Sequence, residues 1–245
     1  MFSIVRLRTV DSTNKYAKDL VLTNSVSENH VILAHEQTNG KGQIGNSWES
    51  EAGKNLIFSL ILFPNDLEAA SQFCLTQIVS LAVCDTLKPL LSGHNVSIKW
   101  PNDIYVGLKK ICGILIENQI MGAYISNSII GIGLNINQKE FFSNAPNPVS
   151  IIQLTNIKYD TEIILQHFLE HFENRMKQYE QNPDSLNSDY LNTLLFGKEW
   201  RKYNTDHELF EGFIQGVNEY GQLQVLRRNG KEMLYNFKEI RFVME

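Results

Sequence analysis

The segment Lys99-Trp100-Pro101-Asn102-Asp103 lies between two short apolar runs, at residues 96–100 and 103–106, and Lys110 follows seven residues after Asp103. Runs rich in Val and Ile around a proline predict short strands, so these lysines and acids lie on or beside strands. Gly113 falls in the next apolar run, where a side chain would otherwise cover the face of the sheet. Taken alone, the segment is more typical of an exposed hairpin with solvated charges.

Glycines are concentrated in two further segments, residues 36–48 (EQTNGKGQIGNSW) and 131–137 (GIGLNIN). A glycine-rich loop that leaves a strand can direct backbone N–H groups at an anion, and Lys41 adds a positive charge. The loop lacks the Gly-Lys-Ser/Thr ending of a Walker A loop, and no helix follows it as a dinucleotide fingerprint requires. Two glycines in a strand indicate a close backbone approach, although taken alone the second segment favours a plain strand-end bulge.

Up to about residue 195 the chain alternates strand and helix patterns. Ser12 and its neighbours supply N-cap residues for a first helix. A stretch without charge between Glu68 and Asp85 predicts a helix that is buried nearly all round. The predicted elements are strands at 3–9, 30–36, 55–63, 110–118 and 123–136, a loop at 141–149, and helices at 12–22, 67–87, 160–182 and 183–195.

From Trp200 onward the pattern changes to short strands with turn signals, of which Asn229-Gly230 is a strong hairpin signal. Hairpins of this total length can close into a small barrel. We therefore expect two domains, a first one at residues 1–195 and a small β-rich one at residues 196–245.

The composition excludes several classes of protein. Lys and Arg number 22 against 27 Asp and Glu, a net charge of −5, whereas proteins that grip a phosphate backbone carry a basic surplus. The uninterrupted apolar runs are far shorter than a membrane span, and the N-terminal residues lack the pattern of a signal peptide. Three cysteines without metal-like spacing suit a reducing compartment, so we expect a cytoplasmic protein that binds neither nucleic acid nor membrane.

The order of Ser12-Thr13-Asn14, the glycine loop, KWPND with Lys110, and GIGLN resembles the biotin–protein ligase family. The match covers most of the first domain, and the C-terminal hairpins are similar to that family's SH3-like barrel. The resemblance implies an α+β fold like class II aminoacyl-tRNA synthetases, a mixed sheet with helices, plus a small C-terminal SH3-like β-barrel. It also implies that the enzyme joins biotin to ATP, releasing pyrophosphate, and passes biotin from biotinyl-AMP to one lysine of a biotin carboxyl carrier protein, as for acetyl-CoA carboxylase.

The resemblance further assigns roles to single residues. Lys110 would lie where the biotin carboxylate meets the α-phosphate, and Lys41 would hold the phosphate side of the adenylate; these two are the expected catalytic residues. Asp103 would hold Mg²⁺ on the ATP phosphates, since a hard cation prefers oxygen ligands. The expected biotin-binding residues are Ser12, Thr13, Asn14, Gln37, Gly40, Lys41, Gly42, Gln43, Trp48, Lys110 and Gly113, and the expected nucleotide-binding residues are Lys41, Asn102 and Asn135.

The sequence departs from the family pattern in the glycine loop, where Lys41, Gln43 and Asn46 replace arginines. Lysine keeps the charge but loses bidentate phosphate geometry, and the other two keep only hydrogen bonding. The family pattern begins near residue 1, so we expect no N-terminal DNA-binding domain and a ligase without a repressor function. Both a monomer and a homodimer remain open, with the strand at 123–136 as an edge that could pair with a second copy or with the carrier.

Three other functions compete with biotin ligation. A lipoate or octanoate transferase shares the fold but typically carries an Arg-Gly-Gly-type stretch near a histidine, whereas the local histidine here, His35, precedes the loop. A non-catalytic biotin-binding module is disfavoured because Lys110, Lys41 and Asp103 are all present. An RNA-binding synthetase fragment is disfavoured by the acidic charge.

Overall fold

The computed structural model describes residues 2–43, 46–143 and 147–244. Over these residues the chain forms a seven-stranded mixed sheet and a five-stranded antiparallel sheet. The strands of the first sheet are β1 (Ser3–Val10), β2 (His30–Gln37), β3 (Leu56–Leu62), β4 (Val96–Lys99), β5 (Asp103–Val106), β6 (Lys109–Met121) and β7 (Tyr124–Leu134). The helices are α1 (Thr13–Leu22), α2 (Phe73–Leu87), α3 (Ile151–Thr155), α4 (Thr161–Gln181) and α5 (Pro183–Thr193).

The first sheet has the strand order β1-β2-β3-β7-β6-β5-β4. β1 and β2 pair in parallel, because α1 crosses between them, and the other neighbours pair antiparallel. This crossover brings the first residues of α1 and the last residue of β2, Gln37, to the same end of the sheet. β3 (LIFSLIL) is buried along its whole length, so the polar Ser59 in its middle lies inside the protein.

α2 is buried nearly all round, as predicted, but it begins at Phe73 rather than at residue 67. The backbone of Leu67 and Ala69 bonds instead to Ile125 and Ala123 at the turn before β7, and a short 3₁₀ turn, Ala69–Ser71, follows. Over Ala69–Leu87 the mean hydropathy of 1.2 and the length would suit a membrane span, but 67% of that window is buried inside the protein. α2 is thus a core helix packed on α4 and the sheet.

One further expectation from the sequence is wrong. The strand at 123–136 is not an edge: β7 lies between β3 and β6, paired on both sides, and the edges of the sheet are β1 and β4. β5 pairs with β6 only at Lys109–Cys112. The rest of β6, residues 113–121, is its outer half and pairs with β7 alone among the strands that the structure describes. α3 was not predicted, although its N-terminus carries a capping box formed by Ser150 and Gln153.

The C-terminal strands are β8 (Trp200–Asn204), β9 (Leu209–Val217), β10 (Leu223–Arg227), β11 (Glu232–Tyr235) and β12 (Arg241–Phe242), in the order β11-β10-β9-β8-β12. This sheet packs on the first through specific contacts. Trp100 Nε1 donates to the carbonyl of Gly221 at 3.1 Å, and Lys99 Nζ lies 5.7 Å from the Phe242 ring centroid. Buried residues of both sheets belong to one apolar core, and a domain boundary at 195/196 stays a prediction.

Candidate active site

The closed end of the site is a cluster of buried polar side chains at the N-terminus of α1. Gln37 Oε1 accepts from Thr13 N at 2.7 Å and from Thr13 Oγ1 at 3.0 Å. The Ser59 hydroxyl lies 2.8 Å from Thr13 Oγ1 and 2.6 Å from Asn14 Oδ1. Ser12 is the N-cap of α1 and its Oγ accepts a long bond, 3.5 Å, from Lys15 N. Ser12 therefore both caps α1 and belongs to the wall of the site.

Asn14 is held from both sides of its amide. Its Oδ1 faces Ser59, and its Nδ2 donates to Glu117 Oε2 at 3.0 Å. A Cβ at Gly131 would lie 2.2 Å from Asn14 Oδ1, so this position needs glycine to admit the amide. The glycine pair in GIGLN thus marks a close approach of a side chain and is more than a strand-end bulge.

Trp48 covers the face of the β6–β7 pair. Gly113 and Gly133 are partners in the two strands. A Cβ at Gly113 would lie 2.8 Å from Trp48 Cζ3, and one at Gly133 would lie 2.4 Å from Trp48 Nε1. The space left by the two glycines therefore receives the indole ring. The Trp48 N–H is buried and, within the described parts of the chain, has no hydrogen-bond partner.

Lys110 and Asp103 meet at the open side of the cavity. Lys110 Nζ lies 2.7 Å from Asp103 Oδ1, with side chains 22% and 27% exposed. Lys110 Nζ also lies 5.7 Å from the Trp48 ring centroid. The lysine is thus half-shielded, paired with one carboxylate and next to the indole. A strong anion at this point could attract the ammonium group away from Asp103.

A residue of α5 hydrogen-bonds to the turn that contains Asn102. Tyr190 Oη donates to the carbonyl of Pro101 at 2.6 Å, and burial raises the pKa of Tyr190 well above its usual value, so this hydroxyl keeps its proton. The Trp100–Pro101 peptide bond is cis. Asn102 Nδ2 donates to the Ile114 carbonyl at 3.0 Å, whereas its buried Oδ1 is unpaired as far as the described residues show.

The glycine loop forms a narrow hairpin over the cavity. Lys41 and Ser47 form a bridge, Gly42 N donates to Asn46 O at 2.9 Å, and Trp48 N donates to Gly40 O at 2.9 Å. A Cβ at Gly40 would lie 2.5 Å from the Trp48 carbonyl oxygen, which explains a glycine there. Lys41 and Asn46 are exposed, and Gln43 is half-buried. Ile44 and Gly45, which belong to the same motif, lie outside the described residues.

These side chains enclose a cavity of about 110 Å³, which opens into a groove of about 1020 Å³. Apart from Gly40, the predicted biotin-binding residues all line the cavity, and Gly40 lines the groove. Asp103 lies in the cavity wall and Asn102 in the groove wall. The groove runs along the outer half of β6 to the C-terminal sheet, whose connecting loops contribute Tyr220, Phe237 and Lys238.

Asn135 is the one expected site residue that lines neither space. It is 2% exposed, and its Nδ2 donates to the Val149 carbonyl at 3.1 Å. Its Oδ1 is buried without a partner among the residues that the structure describes. Val149 N in turn donates to the Lys110 carbonyl at 2.9 Å, so Asn135 supports the backbone behind Lys110.

The described residues contain no group of three His, Cys, Asp or Glu side chains that could hold a metal ion. The oxygen donors at the expected place are the Asp103 carboxylate and the neighbouring Asn102 amide. One carboxylate fits Mg²⁺ that is bound mainly by phosphate oxygens, because this ion keeps several waters and takes few protein ligands in such sites. The donor set therefore fits magnesium carried in with a nucleotide.

Comparison with known proteins gives the family. A model of the biotin/lipoate A/B protein ligase family matches residues 7–135, about half of the chain. The chain belongs to this family. The matched region contains the buried polar cluster, the glycine loop, Asp103, Lys110 and the GIGLN strand.

Named relatives make the likeness more specific. The chain is 35% identical over 173 residues to the bifunctional ligase/repressor BirA of Bacillus spizizenii, which covers 69% of this chain and 52% of the relative. It is 26% identical over 196 residues to the biotin–[acetyl-CoA-carboxylase] ligase of Mycobacterium tuberculosis, covering 79% and 71%. The chain spans about half the length of the Bacillus relative.

Among solved structures, the biotin protein ligase from Aquifex aeolicus in complex with biotin and ATP is similar with a TM-score of 0.81 and 26% identity. The match covers 99% of this chain and 100% of that one, so it includes the C-terminal sheet as well as the first. The predicted α+β fold, a large mixed sheet with helices plus a small C-terminal antiparallel sheet, is thereby confirmed.

Sequence reasoning left two contributors to the site without a role. Ser59 is the one polar residue in β3, and that position in a buried strand was the available signal. Glu117 lies in β6 seven residues after Lys110, and its carboxylate accepts from Asn14 Nδ2 at 3.0 Å. Ser59 is buried, whereas Glu117 is exposed beside the groove, and both hold the Asn14 side chain in place.

Proposed function

We propose that the protein is an ATP-dependent biotin–protein ligase. It activates biotin to biotinyl-5′-AMP and transfers the biotin to a lysine of a biotin carboxyl carrier domain. One observation carries the proposal: a small cavity with a buried hydroxyl and amide cluster at its closed end and an ammonium group, Lys110, at its open side. A neutral ring with urea-like groups needs hydrogen-bond partners inside, and a carboxylate needs a cation at the other end.

In the first step the biotin carboxylate attacks the α-phosphorus of ATP. The bond from that phosphorus to the oxygen of the β-phosphate breaks, and pyrophosphate leaves. Negative charge approaches negative charge here, so positioned cations and orientation supply most of the catalysis. Lys110 would leave Asp103 to bind the reacting oxygens, and Lys41 would reach the phosphates from the glycine loop. Asp103, with Asn102 beside it, would hold Mg²⁺, which neutralises phosphate charge.

In the second step the lysine amine of the carrier attacks the acyl carbon of biotinyl-AMP. The bond from that carbon to the phosphate oxygen breaks, AMP leaves, and the amine loses a proton as the amide forms. The groove beside the cavity is the route by which a protein lysine could enter. We propose that the carrier domain docks along it, against the outer half of β6 and the C-terminal sheet, in the cytoplasm.

Exchange of labelled pyrophosphate into ATP tests the first step and the choice of acid. Biotin, lipoate and octanoate are offered separately to the purified chain with Mg²⁺. We expect exchange with biotin, because lipoate and octanoate would leave the buried hydroxyl and amide partners unpaired. Exchange with lipoate or octanoate but not with biotin would overturn the assignment, and binding of biotin without exchange would indicate a non-catalytic module.

A further inference from the structure

Glu49 is the residue directly after Trp48, and its carboxylate faces away from the cavity toward a second segment of the chain. Glu49 Oε1 accepts from Phe142 N at 3.0 Å, and Glu49 Oε2 accepts from Ser143 N at 2.6 Å. Gln138 Nε2 donates to Glu49 Oε1 at 3.2 Å. Burial raises the pKa of Glu49, but these hydrogen bonds outweigh it, and the net shift lowers the pKa below its usual value. Glu49 is therefore a charged acceptor at neutral pH.

Buried amides reinforce this link. Gln138 is 2% exposed, and its Oε1 accepts from Asn55 Nδ2 at 2.6 Å and from Glu51 N at 2.9 Å. Asn55 Oδ1 accepts from Ile136 N at 2.9 Å. The chain just after the glycine loop and the chain just after β7 are thus joined by one hydrogen-bonded network with Glu49 at its outer end.

Each of the two joined segments touches a different part of the site. The first leads from Trp48, which packs on Gly113 and Gly133 in the cavity. In the second, the Gln138 carbonyl accepts from Ser150 Oγ at 2.5 Å, and Val149, the residue before Ser150, bonds both to Asn135 and to the Lys110 backbone. The network therefore spans from Trp48 in the cavity wall to the backbone behind Lys110, and Glu49 joins it through an ionised side chain.

We propose that Glu49 is a positioning residue that couples biotin binding to ATP binding by tying the glycine loop to the segment after β7. This inference rests on the proposed function. A ligand that fixes Trp48 also fixes Glu49, and Glu49 then holds the backbone of Phe142 and Ser143 in the arrangement that the second ligand needs. The second ligand meets a segment already ordered, so it binds more tightly. Such coupling is reciprocal: each ligand raises the affinity for the other by the same factor.

The test measures biotin affinity by calorimetry, with and without an ATP analogue that carries a methylene group between the α- and β-phosphorus. Coupling between sites is typically about 5- to 150-fold in affinity, and we expect the unmodified chain to show at least about fivefold. In Glu49→Ala and Glu49→Gln we expect the factor to fall below about twofold, while biotin affinity without the analogue changes by less than about threefold. Glutamine is included because it keeps the shape of the side chain while placing N–H donors near the donors of Phe142 and Ser143.

The matched control is Glu51→Ala. Its carboxylate lies 4.0 Å from Lys54 Nζ and is more than half exposed, so the same charge is removed two residues away while the Glu51 N–H that donates to Gln138 is kept. A second pair of variants tests the other partner. Phe142→Pro removes the N–H that Glu49 accepts, whereas Phe142→Ala keeps it and trims a side chain that is 83% exposed. Because Ser143 N still donates to Glu49 in Phe142→Pro, the double variant Glu49→Ala, Phe142→Pro should lose no more of the coupling factor than Glu49→Ala alone.

The outcomes separate the two proposals. Absence of biotin binding in the unmodified chain would overturn the proposed function itself. Binding of both ligands without coupling, or coupling that persists in Glu49→Ala and Glu49→Gln, would overturn the role of Glu49 and leave the ligase assignment intact. Loss of coupling in Glu51→Ala to the same extent would assign the effect to net charge and would also overturn it.

Discussion

The closed end of the cavity and its open side differ in how their polar groups are held. At the closed end, Thr13, Asn14 and Ser59 are each below 6% exposed and bonded to one another or to Gln37. At the open side, Lys41 and Asn46 stand on an exposed hairpin. The closed end is preorganised for a neutral ligand before anything binds, whereas the charge-handling end must gain its final arrangement with the ligand.

This difference between the two ends predicts that loss of the Lys110 ammonium group is the most damaging single change. Lys110→Ala should lower the rate of biotin-dependent pyrophosphate exchange by about 10²–10³, the usual scale for losing one group that stabilises charge in the transition state. Lys109→Ala is the matched control, because the neighbouring side chain is exposed on the same strand. Near-normal exchange in Lys110→Ala would mean that the open side acts without this lysine.

How far the sequence predicts the site depends on how local each signal is. Ser12, Gln37 and Lys110 could be given expected roles because each belongs to a short motif that carries the family resemblance. Ser59 contacts Thr13 and Asn14, and Glu117 contacts Asn14, from strands far along the chain, and such contacts depend on strand register. Asn135 belongs to the GIGLN motif and was expected to bind the nucleotide, but its side chain contacts Val149 and does not line the cavity.

The fold shows the same division between local and distant causes. The helix at α1 and the strand at β2 follow from capping and apolar patterning, and both appear within one residue of the predicted ends. The start of α2 was placed six residues early, since residues 67–69 bond to the turn before β7, which apolar composition does not reveal. The interior place of β7 likewise depends on pairing with β3, a strand more than sixty residues earlier.

The second-largest effect is expected at the closed end, from a single added methyl group. Gly131→Ala would place Cβ 2.2 Å from Asn14 Oδ1, so the amide must move and lose its bonds to Ser59 and Glu117. Unpairing buried polar groups costs about 1–3 kcal/mol, so biotin affinity measured by calorimetry should fall by about 10- to 100-fold. Gly216→Ala is the control, because its methyl group meets only the flexible end of Gln224. Unchanged affinity in Gly131→Ala would show that the closed end tolerates rearrangement.

Ser59→Ala removes a hydroxyl from the same cluster without adding bulk, and its effect should be smaller. Asn14 Oδ1 loses its 2.6 Å partner while Glu117 still holds the other side of the amide. We expect about tenfold weaker biotin binding and a lower free energy of unfolding by about 1–2 kcal/mol in denaturant titration. Ser80→Ala is the control, since the buried Ser80 hydroxyl has no partner in the described parts of the chain. Equal losses in both variants would assign the effect to core packing alone.

The smallest effect is expected on the open side, from restoring a charge that the family pattern carries. Gln43→Arg adds a planar guanidinium to a half-buried loop position that lines both the cavity and the groove. Bidentate phosphate contacts become possible, but screening and side-chain ordering on an exposed hairpin offset much of the gain. Release of biotinyl-AMP, followed by single-turnover chase, should slow by about three- to tenfold. Gln166→Arg, the same change on the exposed face of α4, should leave release unchanged. If Gln43→Arg changes the rate of biotinyl-AMP release no more than Gln166→Arg does, the closed end and Lys110 retain the adenylate. The charge of the glycine loop then does not affect its release.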